Sequence, residues 1–154
     1  MIRVRASVWI ERPIEAVFAY AADYRNDPEW RSEVRDMRYV SDDPVGVGTR
    51  EIETVVVWGR RVVTETEITA YEPNRLVSFG YVSGPIRVRG SRTFETVEGG
   101  TRFTFALESQ ATGLLDRLIS PITGFLYQRQ LDGSVGRMRT ILESKSHGAV
   151  ESVG

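Results

Sequence analysis

From Thr49 to Gln110 the chain is an almost unbroken series of β-rich runs, cut by tight turns around Trp58-Gly59-Arg60, Glu72-Pro73-Asn74, Ser83-Gly84-Pro85 and Gly99-Gly100. Connections this short join neighbouring antiparallel strands. Only one later segment has helical period. Residues 112–145 place apolar side chains at 115, 118, 119, 122 and 126, then at 131, 135, 138 and 142, which reads as one long amphipathic helix. Pro121 is expected to kink it or split off a first piece. Gly124, Gly133 and Gly136 weaken it and leave room for a close neighbour. A sheet with one apolar face must bury that face, and one helix is all that is available. A twisted sheet curved around a single helix leaves unfilled space between them.

The front of the chain supplies the remaining wall. Ile2, Val4, Ala6, Val8 and Ile10 alternate with polar residues, the pattern of a half-buried strand. Pro13 suits a first helical turn, and Ile14, Val17, Phe18 and Ala21 follow at helical spacing. Asp23 can cap the next turn, Asp27-Pro28 reads as a turn, and Trp30 closes the segment. A further strand is expected at 34–40 and a loop at 41–48. The expected fold is therefore α+β: a curved antiparallel sheet of about seven strands, two short helices after the first strand, and a long C-terminal helix. Residues 1–144 form one domain in this reading, with a disordered tail at 145–154.

Composition excludes several function classes. A formal net charge of −1 gives no basic footprint for nucleic acid. With no cysteine there is no disulfide, thiolate nucleophile or Cys-based metal site. His147 is the only histidine and falls in the tail, so Ser-His-Asp catalysis and a histidine-rich metal site are not expected. The glycine pairs lead into strands, whereas phosphate loops lead into helices. No cofactor or metal is expected. No apolar run approaches ~20 residues, so no stable membrane insertion is expected, and the N-terminus lacks the apolar core of a signal peptide. The default is a soluble cytoplasmic protein, monomer or homodimer.

The candidate interior residues follow from strand parity. If Gly99-Gly100 is a two-residue loop, Glu98 faces Thr101, Thr96 faces Phe103, Phe94 faces Phe105 and Arg92 faces Leu107. Arg92 then points inward with Phe94, Phe103 and Phe105. Gly90 is a possible bulge. A buried guanidinium needs a partner. It is a ligand anchor for a carboxylate or enolate oxygen, half of a salt bridge inside the cavity, for example to Glu51 or Glu53, or a side chain that snorkels out at the rim. Thr64, Thr66 and Ile68 share a parity, and Thr66 could hydrogen-bond a ligand. The parity of residues 50–58 stays open because Val55, Val56 and Val57 are consecutive. Trp30 is read as packing with partial cavity exposure, and Trp58 as either a cavity wall or an exposed hairpin residue. Phe18, Ile122 and Leu126 are expected to line the cavity or core. Trp9 falls on the outward parity and could mark a dimer patch.

The stretches "ERPIEAVFAYAADYRNDPEW" (11–30), "VGVGTR" (45–50), "ITAYEPNRLVSF" (68–79), "GGTRFTF" (99–105) and "RMRTILE" (137–143), in this order and spacing, resemble the helix-grip (START and birch-pollen-allergen, SRPBCC) superfamily. Within it, the chain is similar to the bacterial polyketide cyclase/dehydrase-like branch. The resemblance implies an internal cavity for hydrophobic small molecules and no single reaction, since such folds serve as carriers, hormone binders and aromatase/cyclases. Three readings stay open. One is a carrier or sensor of a lipid, isoprenoid or polyketide-like molecule. The second is a cyclase/dehydratase-type enzyme using the same cavity, with Arg92, Tyr81 and Tyr127 as candidate groups but no evident acid/base pair. The third is a regulatory or protein–protein module, for which the sequence offers only Trp9 and the Arg87/Arg89 strand as surface features.

Overall fold

The computed structural model describes the backbone of residues 1–111 and 115–151 and the side chains of residues 1–110 and 122–145. Strand β1 (Ile2–Ile10) is followed by helix α1 (Ile14–Ala21), a 3-10 turn (Tyr24–Asn26) and the one-turn helix α2 (Asp27–Trp30). Strands β2 (Val34–Tyr39), β3 (Arg50–Val57), β4 (Arg60–Glu72), β5 (Leu76–Ser83), β6 (Ile86–Val97) and β7 (Gly100–Ala111) precede helix α3 (Leu115–Glu151). All seven strands form one antiparallel, curled sheet in the order β1-β7-β6-β5-β4-β3-β2. The architecture is the expected helix-grip fold.

This order explains the helices near the N-terminus. β1 and β2 are consecutive strands but occupy opposite edges of the sheet. The chain must therefore cross from one edge to the other, and α1, the 3-10 turn and α2 make that crossing. Pro13 precedes the first turn of α1, and the Asp23 carboxylate accepts the Arg25 amide at the start of the 3-10 turn. The Asp27-Pro28 pair, expected as a turn, opens α2, where proline fits the first helical positions.

The β6–β7 hairpin corrects the expected register. Phe94 pairs with Phe103, Arg92 with Phe105, and Val97 with Gly100, a shift of two residues. The turn is Glu98-Gly99, both at positive φ (48° and 79°), as a tight two-residue hairpin turn demands. A two-residue slip preserves parity, so Arg92, Phe94, Phe103 and Phe105 still face inward. Gly90 is not a bulge, since pairing with β7 runs through it without a break. A Cβ there would lie 2.5 Å from the Ala106 carbonyl oxygen and 2.9 Å from the Phe79 ring, so glycine is needed for close approach. The open parity of 50–58 is resolved by Glu51↔Thr66 and Glu53↔Thr64 pairing, which puts Glu51, Glu53 and Val55 on the inner face.

Helix α3 differs most from expectation. Leu131, Val135, Met138 and Leu142 are buried in the core, whereas Ile122, Phe125 and Leu126 are 71%, 63% and 46% exposed. The cause is helical phase. At ~100° per residue, the nine positions from 122 to 131, or from 126 to 135, turn the helix by about half a revolution. The single stripe read from sequence is two stripes on opposite faces. Gln128 fixes which one faces the sheet: its Nε2 donates to the Arg5 carbonyl (2.7 Å) and its Oε1 accepts the Arg5 amide (3.2 Å). Pro121 sits within continuous helical backbone and does not split α3. A Cβ at Gly124, Gly133 or Gly136 would meet nothing within 4 Å, so no close neighbour uses their small size. Helical backbone also continues through Glu151, into the segment expected to be a tail. The side chain of His147 lies outside the described residues.

Trp9 is not a free surface patch. Its Nε1 donates to the Val97 carbonyl at 2.8 Å, and its ring lies where a Gly100 Cβ would stand, at 2.7 Å. The same Cβ would approach the Ile10 carbonyl oxygen to 2.5 Å. We therefore expect Gly100→Ala to lower stability by ~2–3 kcal/mol in denaturant unfolding, through forced displacement of Trp9 and the β1 backbone. Gly99→Asn, in open space at a left-handed φ that asparagine accepts, should change it by less than about 1 kcal/mol. Equal stability of Gly100→Ala and wild type would show that the contact is soft.

Candidate functional site

The inner face of the sheet carries more charge than an apolar cavity floor would need. Arg92 on β6 is 1% exposed. Its Nη1 donates to Asp27 Oδ1 (2.9 Å) and to the Ala21 carbonyl (2.8 Å), and its Nη2 donates to Asp27 Oδ2 (2.5 Å). This two-pronged pair replaces the expected bridge to Glu51 or Glu53. The guanidinium is also enclosed by the rings of Tyr24, Phe105 and Trp30, at 4.0, 4.7 and 5.1 Å from their centres. Burial pulls its pKa down, but Asp27 and Tyr24 together more than offset this, and the net shift is upward.

A second buried arginine shares the same carboxylate. Arg31 donates through Nη1 to Asp27 Oδ2 (3.0 Å) and Glu53 Oε2 (2.8 Å), and through Nε to Glu33 Oε1 (3.1 Å). Asp27, fully buried on α2, thus joins two strands of charge: Arg92 from the centre of the sheet and Arg31 beside its β2–β3 edge. Arg137 of α3 adds a bond to the Trp30 carbonyl (3.1 Å), which ties α2 to the long helix.

Glu51 is the exception in this network. It is fully buried, accepts one hydrogen bond from the Thr66 hydroxyl at Oε1 (2.9 Å), and has no partner at Oε2. Burial pushes its pKa up to about 8; Thr66 and Arg92 pull the other way, and Asp27 and Glu53 push it further up. Near neutral pH it is largely a protonated acid, able to donate as well as accept. The Tyr24 hydroxyl and Arg92 Nε are likewise buried without a partner. All three residues line one small cavity of about 30 Å³, together with Arg31, Met37, Glu53, Thr66, Phe79, Val88, Leu107 and Tyr127. That volume is roughly one water molecule's share of liquid. Burial also raises the Tyr127 hydroxyl to about 12, so it stays protonated at neutral pH.

The residues expected from sequence divide into three groups. Arg92 and Thr66 line this cavity. Phe18, Trp30, Phe94, Phe103 and Phe105 form the aromatic packing beside it: Trp30 meets Phe103 and Phe105 edge-on at 6.0 and 5.7 Å, and Phe18 meets Phe94 at 5.0 Å. Trp30 is fully buried rather than partly exposed to the cavity. Trp58, Ile122 and Leu126 are not part of it. Trp58 occupies the tip of the β3–β4 turn at φ 53° and is 74% exposed. Of the candidate tyrosines, Tyr127 reaches the cavity, whereas the Tyr81 hydroxyl donates to the Gly84 carbonyl (2.6 Å) at the surface. Asp27, Tyr24 and Arg31 were missed. An inward Arg92 demands an acidic partner, and the segment that crosses the sheet offers Asp23, Asp27 and Glu29.

The β5–β6 ladder pairs only Leu76–Phe79 with Thr93–Gly90. Beyond that point the two strands continue unpaired with each other, next to Phe79 and Val88 of the cavity wall.

Residues 1–143 match the family model described as polyketide cyclase / dehydrase and lipid transport. The chain belongs to that family. Solved structures agree on the fold. A protein from Thermus thermophilus is 22% identical with a TM-score of 0.81, over 94% of this chain and 99% of its own. The Zhui aromatase/cyclase from Streptomyces sp. R1128 is 12% identical with a TM-score of 0.74, over 94% of both chains. The ginseng major latex-like protein 151 from Panax ginseng is 13% identical with a TM-score of 0.67, over 90% of this chain and 95% of its own. No curated protein matches in sequence. Among the described residues no helix of this family member is long and apolar enough to cross a membrane.

The raised pKa of Glu51 has a definite effect on stability. The folded state holds a proton that the unfolded state releases at its ordinary pKa of 4.5. The contribution is therefore fully present below that value and is lost as pH rises toward about 8. Glu51→Gln, which cannot ionise, should be more stable than wild type by ~4 kcal/mol near pH 7.5, with no difference at the acid end. Parallel stability–pH curves for the two proteins would show that Glu51 ionises freely in the fold.

Proposed function

We propose that this protein binds one hydrophobic small molecule between the curled sheet and α3, as a carrier or sensor. The supporting observation is a cavity lined by Tyr24, Glu51 and Arg92, each of which buries a polar atom without a partner, and by Met37, Phe79, Val88 and Leu107. Unpaired buried polar atoms are costly, and the polar end of a bound ligand would complete them. At about 30 Å³ the cavity accepts the polar end of a ligand, and a larger body requires the wall to open. Two places offer this. One is the unpaired stretch between β5 and β6. The other is the stretch 122–126 of α3, where Ile122, Phe125 and Leu126 face solvent. Apolar burial drives such binding, and the polar atoms orient it.

A second reading is a cyclase/dehydratase-type enzyme, and Glu51 is the observation that favours it. A carboxyl with a pKa of about 8 can exchange a proton near neutral pH, as a general acid or base must. Tyr24 and Arg92 could stabilise a developing enolate oxygen.

Native mass spectrometry of freshly purified protein, followed by solvent extraction, separates the readings. A stoichiometric apolar adduct is the expected result. A clean apo mass, with turnover of a poly-β-ketone model substrate that Glu51→Gln abolishes, would overturn the carrier in favour of the enzyme.

A further inference from the structure

We propose that the Glu51 carboxyl, the Tyr24 hydroxyl and Arg92 Nε form a receptor for one uncharged carbonyl oxygen, so that the ligand is a ketone-bearing apolar molecule and not a carboxylic acid. This rests on the binding reading above and specifies its ligand.

An inward arginine suggests an anionic ligand, but here its charge is already matched. Both terminal nitrogens of Arg92 are committed to Asp27 and the Ala21 carbonyl. Three of its five N–H groups are used, which leaves Nε–H, without any partner, and one N–H of Nη2. Arg31, the other cation of the cavity wall, is held by Asp27, Glu53 and Glu33. A carboxylate entering this space would meet the acidic groups of Glu51 and Glu53, with no free cation among the lining residues to balance it. Desolvating it there would be costly. A carbonyl oxygen has the opposite fit. It carries no charge, has two lone pairs, and can take two of three available donors: Arg92 Nε–H, Tyr24 O–H and the protonated Glu51. The residues concerned are 1%, 1% and 0% exposed, in that order, so water does not compete from the surface. The remaining wall, Met37, Phe79, Val88 and Leu107, suits the carbon skeleton next to a ketone.

Three probes of one skeleton test this: acetylnaphthalene, ethylnaphthalene and naphthoic acid, titrated into the full chain at a pH of about 6.5 with affinity read by fluorescence. The ketone should bind roughly tenfold more tightly than the hydrocarbon, the worth of one to two good hydrogen bonds, and the acid should bind least. Glu51→Leu removes one of the three donors and should shrink the ketone-to-hydrocarbon affinity ratio several-fold. Glu51→Gln retains a donor and should keep the preference, so it serves as the folded control. Ionisation of Glu51 should weaken ketone binding to the wild type, but not to Glu51→Gln, as pH rises to about 9. The groups around Glu51 are Arg92, Asp27, Glu53, Arg31, Tyr24, Tyr39 and Tyr127. Of these, the tyrosines Tyr24, Tyr39 and Tyr127 are all shifted upward and stay protonated in this range. Tightest binding of naphthoic acid would overturn the proposal, as would a ketone-to-hydrocarbon affinity ratio that Glu51→Leu leaves unchanged. Equal affinity for ketone and hydrocarbon would also overturn it and leave the cavity a place for one structural water. Failure of all three probes, ethylnaphthalene included, would overturn the binding reading itself.

Discussion

The two-pronged pair between Arg92 and Asp27 is the interaction on which the interior depends. The topology puts β1 and β2 at opposite edges of one sheet, so the segment joining them must lie across the open side. Van der Waals packing by Val17, Phe18 and Trp30 gives that segment a surface to rest on but no unique position. Arg92 gives it one. The guanidinium rises from the middle of the sheet and binds both the end of α1, through the Ala21 carbonyl, and the start of α2, through Asp27. A pair this deeply buried contributes little net stability compared with apolar residues of the same volume. Leaving either member alone is far more costly, and that asymmetry makes the arrangement specific.

The same pair decides the chemistry of the site. Once Asp27 has neutralised Arg92 and shares in holding Arg31, neither arginine has charge to spare for an ionised Glu51. Burial then dominates and the carboxyl keeps its proton. The site becomes a set of neutral or charge-matched donors set in an apolar wall, rather than an anion trap. An enzyme and a carrier could both use such a site, and membership of the polyketide cyclase / dehydrase and lipid transport family is consistent with each.

Much of the fold was legible because it follows from period. Alternation at 2–10, the turn signals between 58 and 100, and the apolar positions from 131 to 142 each correspond to an observed element. Inward parity of Arg92 survived a wrong register because the error was two residues. The failures came from effects that local pattern does not contain. Ile122 and Leu126 carry the right residue types in the wrong phase, and only continuous counting along the helix exposes it. Trp58 stayed open between cavity wall and exposed hairpin residue because the parity of its strand was unread, and its 74% exposure at the turn decides for the hairpin. Asp27 looked like a turn residue because Asp-Pro signals one. Its role as a buried counter-ion comes from a strand 65 residues away. Glu51 was visible only as a possible partner for Arg92, since the parity of its strand could not be read through three consecutive valines.

The central claim is that Asp27 and Arg92 position the crossing segment together. A double-mutant cycle in urea unfolding tests it most directly, with Asp27→Leu, Arg92→Met and the combined variant. Arg31 keeps Glu33 and Glu53 throughout, so the coupling isolates Arg92. Each single change should cost ~3–5 kcal/mol by stranding a buried charge. The double variant should recover at least ~2 kcal/mol relative to their sum. Additive losses would mean that the two residues stabilise the fold independently, and that aromatic packing alone sets the position of α1 and α2.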